Sequence, residues 1–408
     1  MTYSCTGPEP EIVLDLSRLL SRILHHTPTG VDRVEMAYAL GLLEAVPERV
    51  AFAAVHPSGF YGRIPTETAI RFLARVQVLW QADADSEGRA ARQLRVLRTL
   101  WAMRPRRVRF SARRRIFLQS SPHHLAKPGL VRAILRRERA LFVCLLHDLI
   151  PITHPEYARP GGAELHHRRV RTLAETADAV IANSHATLKD FEPHLAAGGR
   201  YIPSIVAHLG LDHVTTPTPQ LPVTDIRPHF VCLGTIEPRK NHLLLLHIWR
   251  DLAEQHGAAN VPRLIVIGRR GWENEQVVDM LERCPSLAGC VEERTGLRDD
   301  EVRATLAGAR ALLLPSFAEG FGLPVPEALA LGTPVICSDL PALREAGGDV
   351  PDYLDPLDGP AWRDTILAYA ASGSIERAAQ IARIMRWTPT SWRDHLAKVL
   401  DLLHRLPA

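Results

Sequence analysis

The sequence predicts an α/β chain of two doubly wound, largely parallel sheets facing each other across a cleft. Three observations predict it. Short apolar runs alternate with helix-period patterns in both halves, the rhythm of βαβ units. The stretch Thr215–Pro228 (TTPTPQLPVTDIRP) carries four prolines and no apolar periodicity, so it reads as a linker. At 408 residues the chain also exceeds what one core of ordinary size needs.

In the first half, Ile12–Leu16, Val50–Val55, Arg115–Gln119, Leu141–Leu146, Ala179–Ala182 and Ile205–Leu209 read as strands. Val34–Leu43, Val131–Arg139, Leu165–Glu175 and Ala186–Leu195 read as helices between them. The second half repeats the pattern. Phe230–Gly234, Leu264–Gly268, Cys290–Glu293, Ala311–Leu314 and Pro334–Cys337 are its expected strands. Asn241–Gln255, Asn274–Arg283, Asp299–Gly308 and Pro326–Leu331 are its expected helices, and Trp392–Leu406 forms a terminal one. The expected domains are therefore 1–215, 216–388 and a terminal helix over 389–408, with ligands at the carboxyl ends of the strands.

Residues 315–339, PSFAEGFGLPVPEALALGTPVICSD, are the most informative segment. Glu319 and Glu327 bracket a loop of Gly320, Phe321, Gly322 and Leu323 between a buried strand and a helix start. Such a loop brings backbone N–H groups close to an anion, and prolines suit a first helical turn. Acids flanking an anion-binding loop fit a ligand with phosphate in the middle and hydroxyls at both ends, the layout of a sugar nucleotide. A second motif, Phe230-Val-Cys-Leu-Gly-Thr-Ile-Glu-Pro-Arg-Lys-Asn241, places Arg239 and Lys240 in the loop after a strand. A planar guanidinium fork beside a point charge suits a diphosphate. A third, His147-Asp148-Leu-Ile-Pro-Ile-Thr-His154-Pro-Glu-Tyr157, follows a buried strand. Asp148 either caps the following turn or touches ligand. Gly30 precedes a helix after the first strand, and Ser184 reads as a helix N-cap.

Glu319, seven residues and Glu327, with their flanks, resemble the signature of the retaining glycosyltransferases of family 4. The resemblance covers the second half well and the first more thinly. It implies the GT-B fold of two Rossmann-like domains, an acceptor-binding first domain and a donor-binding second one. It implies that Arg239 and Lys240 hold the donor's diphosphate and stabilise it as it leaves. Glu319 and the loop Gly320–Leu323 would hold sugar hydroxyls and phosphate, and Glu327 would accept from the ribose hydroxyls. His147 would contact the transferred sugar, and the single Gly30, where many relatives have a glycine pair, would approach the diphosphate. His154 and Tyr157 line the acceptor side or are surface residues. The terminal helix would cross back to the first domain. The His-Asp-Leu-Ile-Pro string is similar to enzymes that build bacterial surface polysaccharides with mannose-like sugars, which makes GDP-mannose the expected donor and a glycan or lipid-linked molecule the expected acceptor. No cofactor beyond the donor substrate is expected. No metal is expected either, since Asp83-Ala-Asp85 has the spacing of a metal pair but no supporting context.

Composition narrows the class. The chain is 46% apolar and 23% charged, as in soluble globular proteins, and no apolar run reaches membrane-spanning length. The N-terminus lacks the pattern of a secretory signal, and the six cysteines form no C-x-x-C pair, so a reduced, cytoplasmic protein is expected. Residues 1–215 hold 29 Lys and Arg against 20 Asp and Glu, while 216–408 hold 20 against 25, so the halves face different partners. Arg89–Arg115 has eleven arginines in 27 residues, interleaved with Leu94, Leu97, Trp101 and Phe110. That region reads either as a solvated helical face or as peripheral contact with an anionic membrane at its inner face. Nucleic acid is not expected, because no motif for it accompanies the arginines. Two competing functions remain: a nucleotide-sugar epimerase on the same scaffold, and a non-catalytic protein that binds a nucleotide sugar. The intact pairing of Glu-x7-Glu with Arg-Lys argues against both.

Overall fold

A computed structural model describes residues 9–25, 27–81, 89–211 and 227–407, without the side chains of 89–92. Most of the proposed linker and the Asp83/Asp85 pair lie outside these residues. The chain divides into two compact units: 1–152 with 161–210 and 390–408, and 153–160 with 211–389. The segment 153–160, expected within the first domain, thus clusters with the second unit.

The first unit opens with strand β1 (Glu11–Asp15), the short helix α1 (Ser17–Ser21) and helix α2 (Gly30–Ala45). Strands β2 (Val50–Val55) and β3 (Tyr61–Ile64) and helices α3 (Thr66–Gln81) and α4 (Arg89–Ala102) follow. Next come β4 (Arg115–Gln119), α5 (Pro128–Glu138), β5 (Ala140–Leu146), α6 (Ile150–Thr153), α7 (Gly162–Thr176), β6 (Ala179–Ala182), α8 (His185–Ala197) and β7 (Ser204–Val206). The seven strands run in the order β3-β2-β1-β4-β5-β6-β7. All pairings are parallel except β2 with β3, an antiparallel hairpin on the edge. Inner strands such as β6 are buried along their whole length, which explains their continuous apolar runs.

The second unit holds β8 (His229–Leu233), α9 (His242–His256), β9 (Arg263–Ile267), α10 (Glu275–Arg283), β10 (Val291–Arg294), α11 (Asp299–Ala307), β11 (Leu312–Leu314), α12 (Pro324–Ala330) and β12 (Val335–Ser338). Helix α13 (Pro341–Gly347), strand β13 (Asp352–Leu354) and helices α14 (Gly359–Ala370) and α15 (Ile375–Ile384) complete it. Its six strands are all parallel, in the order β10-β9-β8-β11-β12-β13. The core includes Trp249, packed edge-on against Phe230, with Trp362 and Tyr369.

The last helix, α16 (Trp392–Arg405), belongs to the first unit. It packs on α2, where His395 Nε2 lies 2.7 Å from the Tyr38 hydroxyl and Nδ1 2.9 Å from the His208 carbonyl. A carbonyl only accepts, so Nδ1 carries the proton and Nε2 accepts from Tyr38. Burial holds His395 down at about 4, which keeps it neutral.

Candidate functional site

In the second unit the ends of β8 and β11 are neighbours, and the loops that leave them deliver the two principal motifs to one place. After β8, a single 3₁₀ turn over Pro238–Lys240 presents the basic pair, and Asn241 ends it in the left-handed region at φ 53°. Asn241 holds that shape by donating from Nδ2 to the Pro356 carbonyl, 3.0 Å away. The Phe317 amide donates to the Arg239 carbonyl at 2.7 Å, tying the second loop to the first.

Glu319 lies at the centre. Its Oε1 accepts from Lys240 Nζ at 2.5 Å and from Ser316 Oγ at 2.7 Å, and its Oε2 accepts from Arg239 Nη1 at 2.9 Å. The side chain is only 6% exposed. Burial alone would raise its carboxyl, but Lys240 and Arg239 outweigh that and hold it at about 2. Glu319 is therefore a fixed carboxylate that can accept hydrogen bonds but cannot supply a proton near neutrality. Arg239 also donates from Nε to Glu237 Oε1 at 2.6 Å and from Nη1 to the Ala318 carbonyl at 2.9 Å. The Glu237 carboxyl is raised by burial, against the pull of Arg239 and Lys240. Glu237 was not singled out in the sequence; an acid two positions before the basic pair in a strand-end loop was the available signal. Ser316, fully buried, is a direct partner of Glu319 as well.

The loop Gly320–Leu323 leads into α12, with Glu327 in its first turn and half-buried. Phe321 is buried and Gly322 has φ 88°. The Val325 amide donates to the Gly322 carbonyl and the Glu327 amide to that of Leu323, while Pro324 and Pro326 have none. The first turn of the helix therefore uses both of its backbone donors within the chain.

The segment 153–160 closes over this region within the same unit. The Tyr157 ring stacks on Phe317 at 5.7 Å and on His154 at 5.9 Å. Trp272 Nε1 donates to the Tyr157 carbonyl at 3.1 Å, and the Arg159 guanidinium lies 4.6 Å over the Trp272 ring. His154 and Tyr157 thus brace the turn just before Glu319.

In the first unit, β5 delivers His147 and Asp148 to the end of the sheet. His147 Nε2 lies 2.8 Å from the Ser120 carbonyl, so that nitrogen carries the proton and Nδ1 is left as an acceptor. Burial lowers the ring's proton affinity and keeps it neutral. Asp148 Oδ1 accepts from the Ile150 amide at 3.2 Å, the turn-capping alternative. Both residues line a cavity of about 190 Å³ whose walls include Leu125, Leu146, His166 and Arg169. Arg169 Nε is buried without a hydrogen-bond partner in it. His166, Arg169, Val170 and Leu173 repeat at helical spacing along α7, a polar pair on an apolar stripe that the sequence reading passed over. Ser184 caps α8 by accepting from the Thr187 amide at 3.0 Å.

Gly30 is the first residue of α2 and is exposed. Thr29 and Asp32 form a capping box there, and Asp32 lies 2.7 Å from Arg18 and 2.8 Å from Arg22. That helix start already holds a carboxylate of its own.

Two parallel α/β units with these sites define a GT-B fold. The chain superposes over 98% of its length on the whole of Anabaena Alr3699/HepE, solved with UDP and glucose, at a TM-score of 0.64 and 18% identity. Residues 227–370 match the family model described as glycosyl transferases group 1, so the matched stretch contains Arg239, Lys240, Glu319 and Glu327. The Escherichia coli O-antigen chain mannosyltransferase B is 25% identical over 397 residues, 91% of this chain and 95% of that protein. The Escherichia coli serotype-specific mannosyltransferase WbdA is 29% identical over 235 residues, 53% of this chain. The match spans only 28% of the length of that relative.

Proposed function

We propose that this chain is a retaining glycosyltransferase that moves a hexose from a nucleotide-diphosphate sugar to a glycan or lipid-linked acceptor in surface polysaccharide biosynthesis. The observation that carries it is the buried, ionised Glu319 held between Arg239 and Lys240 at adjacent strand ends. Two fixed cations beside a carboxylate suit a ligand with a diphosphate next to sugar hydroxyls. Relatives named as mannosyltransferases support mannose as the sugar, with GDP-mannose as the donor.

In this mechanism Arg239 and Lys240 stabilise the charge that develops on the departing diphosphate. Glu319 keeps both cations in place and accepts from a sugar hydroxyl. Glu327 accepts from the ribose. His147, neutral and with Nδ1 as an acceptor, orients a hydroxyl of the transferred sugar. Retention follows from a front-face reaction in which the leaving phosphate takes the acceptor's proton, so the protein contributes position and charge rather than a nucleophile.

A thermal-shift series with GDP, UDP and ADP and their sugar conjugates, without added metal, tests the donor site. Stabilisation by the guanine series, reduced about tenfold or more in apparent affinity by Lys240→Ala or Arg239→Ala, is expected. No shift with any nucleotide would sink the donor assignment. Transfer from GDP-mannose, with an α-configured product by NMR, tests the reaction; an inverted product would overturn the front-face mechanism.

A further inference from the structure

We propose that the exposed face of α4, with the loop that follows it, docks the protein on an anionic lipid bilayer. Leu94, Leu97 and Trp101 are 49%, 65% and 66% exposed, and Phe110 is 77% exposed. Positions 94, 97 and 101 share one helix face, so the three form a continuous apolar stripe. Isolated apolar residues are ordinary on a protein surface; an aligned stripe of large ones on a single helix is not.

Charge selects the occupant. Residues 89–115 contain no acidic residue. Of the arginines there, Arg98, Arg104, Arg106, Arg107 and Arg109 are exposed. Arg139 adds a guanidinium 5.1 Å over the Phe110 ring. The remaining arginines at the end of the region serve the fold instead. Arg113 donates to the Glu9 carbonyl, Arg114 to that of Leu406, and Arg115 to Glu11. An apolar stripe followed along the chain by a run of exposed arginines matches the boundary between acyl chains and anionic headgroups.

The face is held by the fold rather than dangling from it. Met103 is fully buried, Thr99 nearly so, and His56 Nε2 lies 3.1 Å from the Leu100 carbonyl. Arg63 and Arg106 exchange two backbone hydrogen bonds, which joins the loop after α4 to the edge of the sheet. Gly62 permits that approach, since a Cβ there would fall 2.2 Å from the Arg106 carbonyl oxygen.

The test is cosedimentation with phosphatidylcholine vesicles made with and without phosphatidylglycerol. Wild-type protein is expected on the phosphatidylglycerol vesicles and in the supernatant with phosphatidylcholine alone. Changing Arg98, Arg104, Arg107 and Arg109 together to Gln should weaken binding about a hundredfold. Leu97→Ser with Trp101→Ser should weaken it about tenfold and leave a remnant that salt abolishes. All six side chains are exposed, so unchanged thermal melts would show that both variants fold. The proposal fails if wild type ignores phosphatidylglycerol vesicles or if both variants bind as it does. It also fails if poly(U) RNA displaces the protein from lipid, or if the stripe instead buries itself in a dimer that Leu97→Ser and Trp101→Ser dissolve.

Discussion

Glu319 shows how much a single carboxylate can organise. Its two oxygens accept from three side chains on two loops, so its loss takes the carboxylate from the buried Lys240 ammonium and leaves Arg239 with Glu237. Glu319→Gln should lower transfer by about a hundredfold or more and lower the melting temperature, because breaking a buried pair costs roughly 3–5 kcal/mol. Turnover and thermal melts measure the two effects, and an unchanged melt would mean that the pair is not structural. Folding lowers the Glu319 carboxyl from 4.5 to about 2, so its contribution to stability is complete above pH 4.5 and disappears as pH falls through 2. Glu35 does the opposite. Burial, with the charge of Asp15 added, raises it from 4.5 to about 8. Its folded form therefore keeps a proton that the unfolded chain has released, and stability falls as pH rises from 4.5 through 8. Glu35→Gln should flatten that decline, so the variant should gain on wild type in melts at pH 9 compared with pH 5. Equal differences at the two values would show that Glu35 ionises as freely as an exposed acid.

Among the elements, the loop before α12 is the most tightly specified. Gly322 sits at φ 88°, and a Cβ there would fall 2.3 Å from Leu343 Cδ2. Gly322→Ala should destabilise the protein by about 1–3 kcal/mol and weaken donor binding, since the backbone must move where it would face phosphate. Denaturant titration and nucleotide affinity check this together; a variant as stable as wild type would remove the strain argument. The strand, glycine loop and helix around Glu319 and Glu327 were readable in advance because they follow each other in sequence. The strands β2, β4 and β6 were likewise readable to the residue, because each is built on a short, mostly buried apolar run. No element was read between Val55 and Arg89, and Arg89–Arg115 was read only as a basic region, either a solvated helical face or a membrane contact, although the stretch holds β3, α3 and α4. β3 is a four-residue edge strand containing Arg63, whose charge is met by Glu138 from α5, a partner 75 positions away. Edge strands and their ion-pair partners leave no periodic trace. β7 ran shorter than expected, ending at Val206 rather than Leu209. The clustering of 153–160 with the second unit was equally hidden, because Tyr157 and Phe317 meet only through the tertiary fold.

For the whole molecule, neither unit is a continuous piece of chain. The first is completed by residues 390–408, whose helix covers α2 through Tyr38, Trp392 and His395. A chain ending at Pro389 should therefore lose the native near-UV signal of its first unit and expose apolar surface to a reporter dye, although the excised helix lies far in sequence from that unit. Native-like spectra from the shortened chain would show that α2 is stable without this cover.

That arrangement also sets an order of events during synthesis. Tyr38 and His395 are separated by 357 positions. At about 5–20 residues per second, roughly twenty to seventy seconds pass between their appearance at the ribosome. Throughout that interval the face of α2 that carries Tyr38 stays uncovered by α16, while the second unit is assembled from chain that emerges later. The arrival of α16 then brings Trp392 and His395 onto Tyr38.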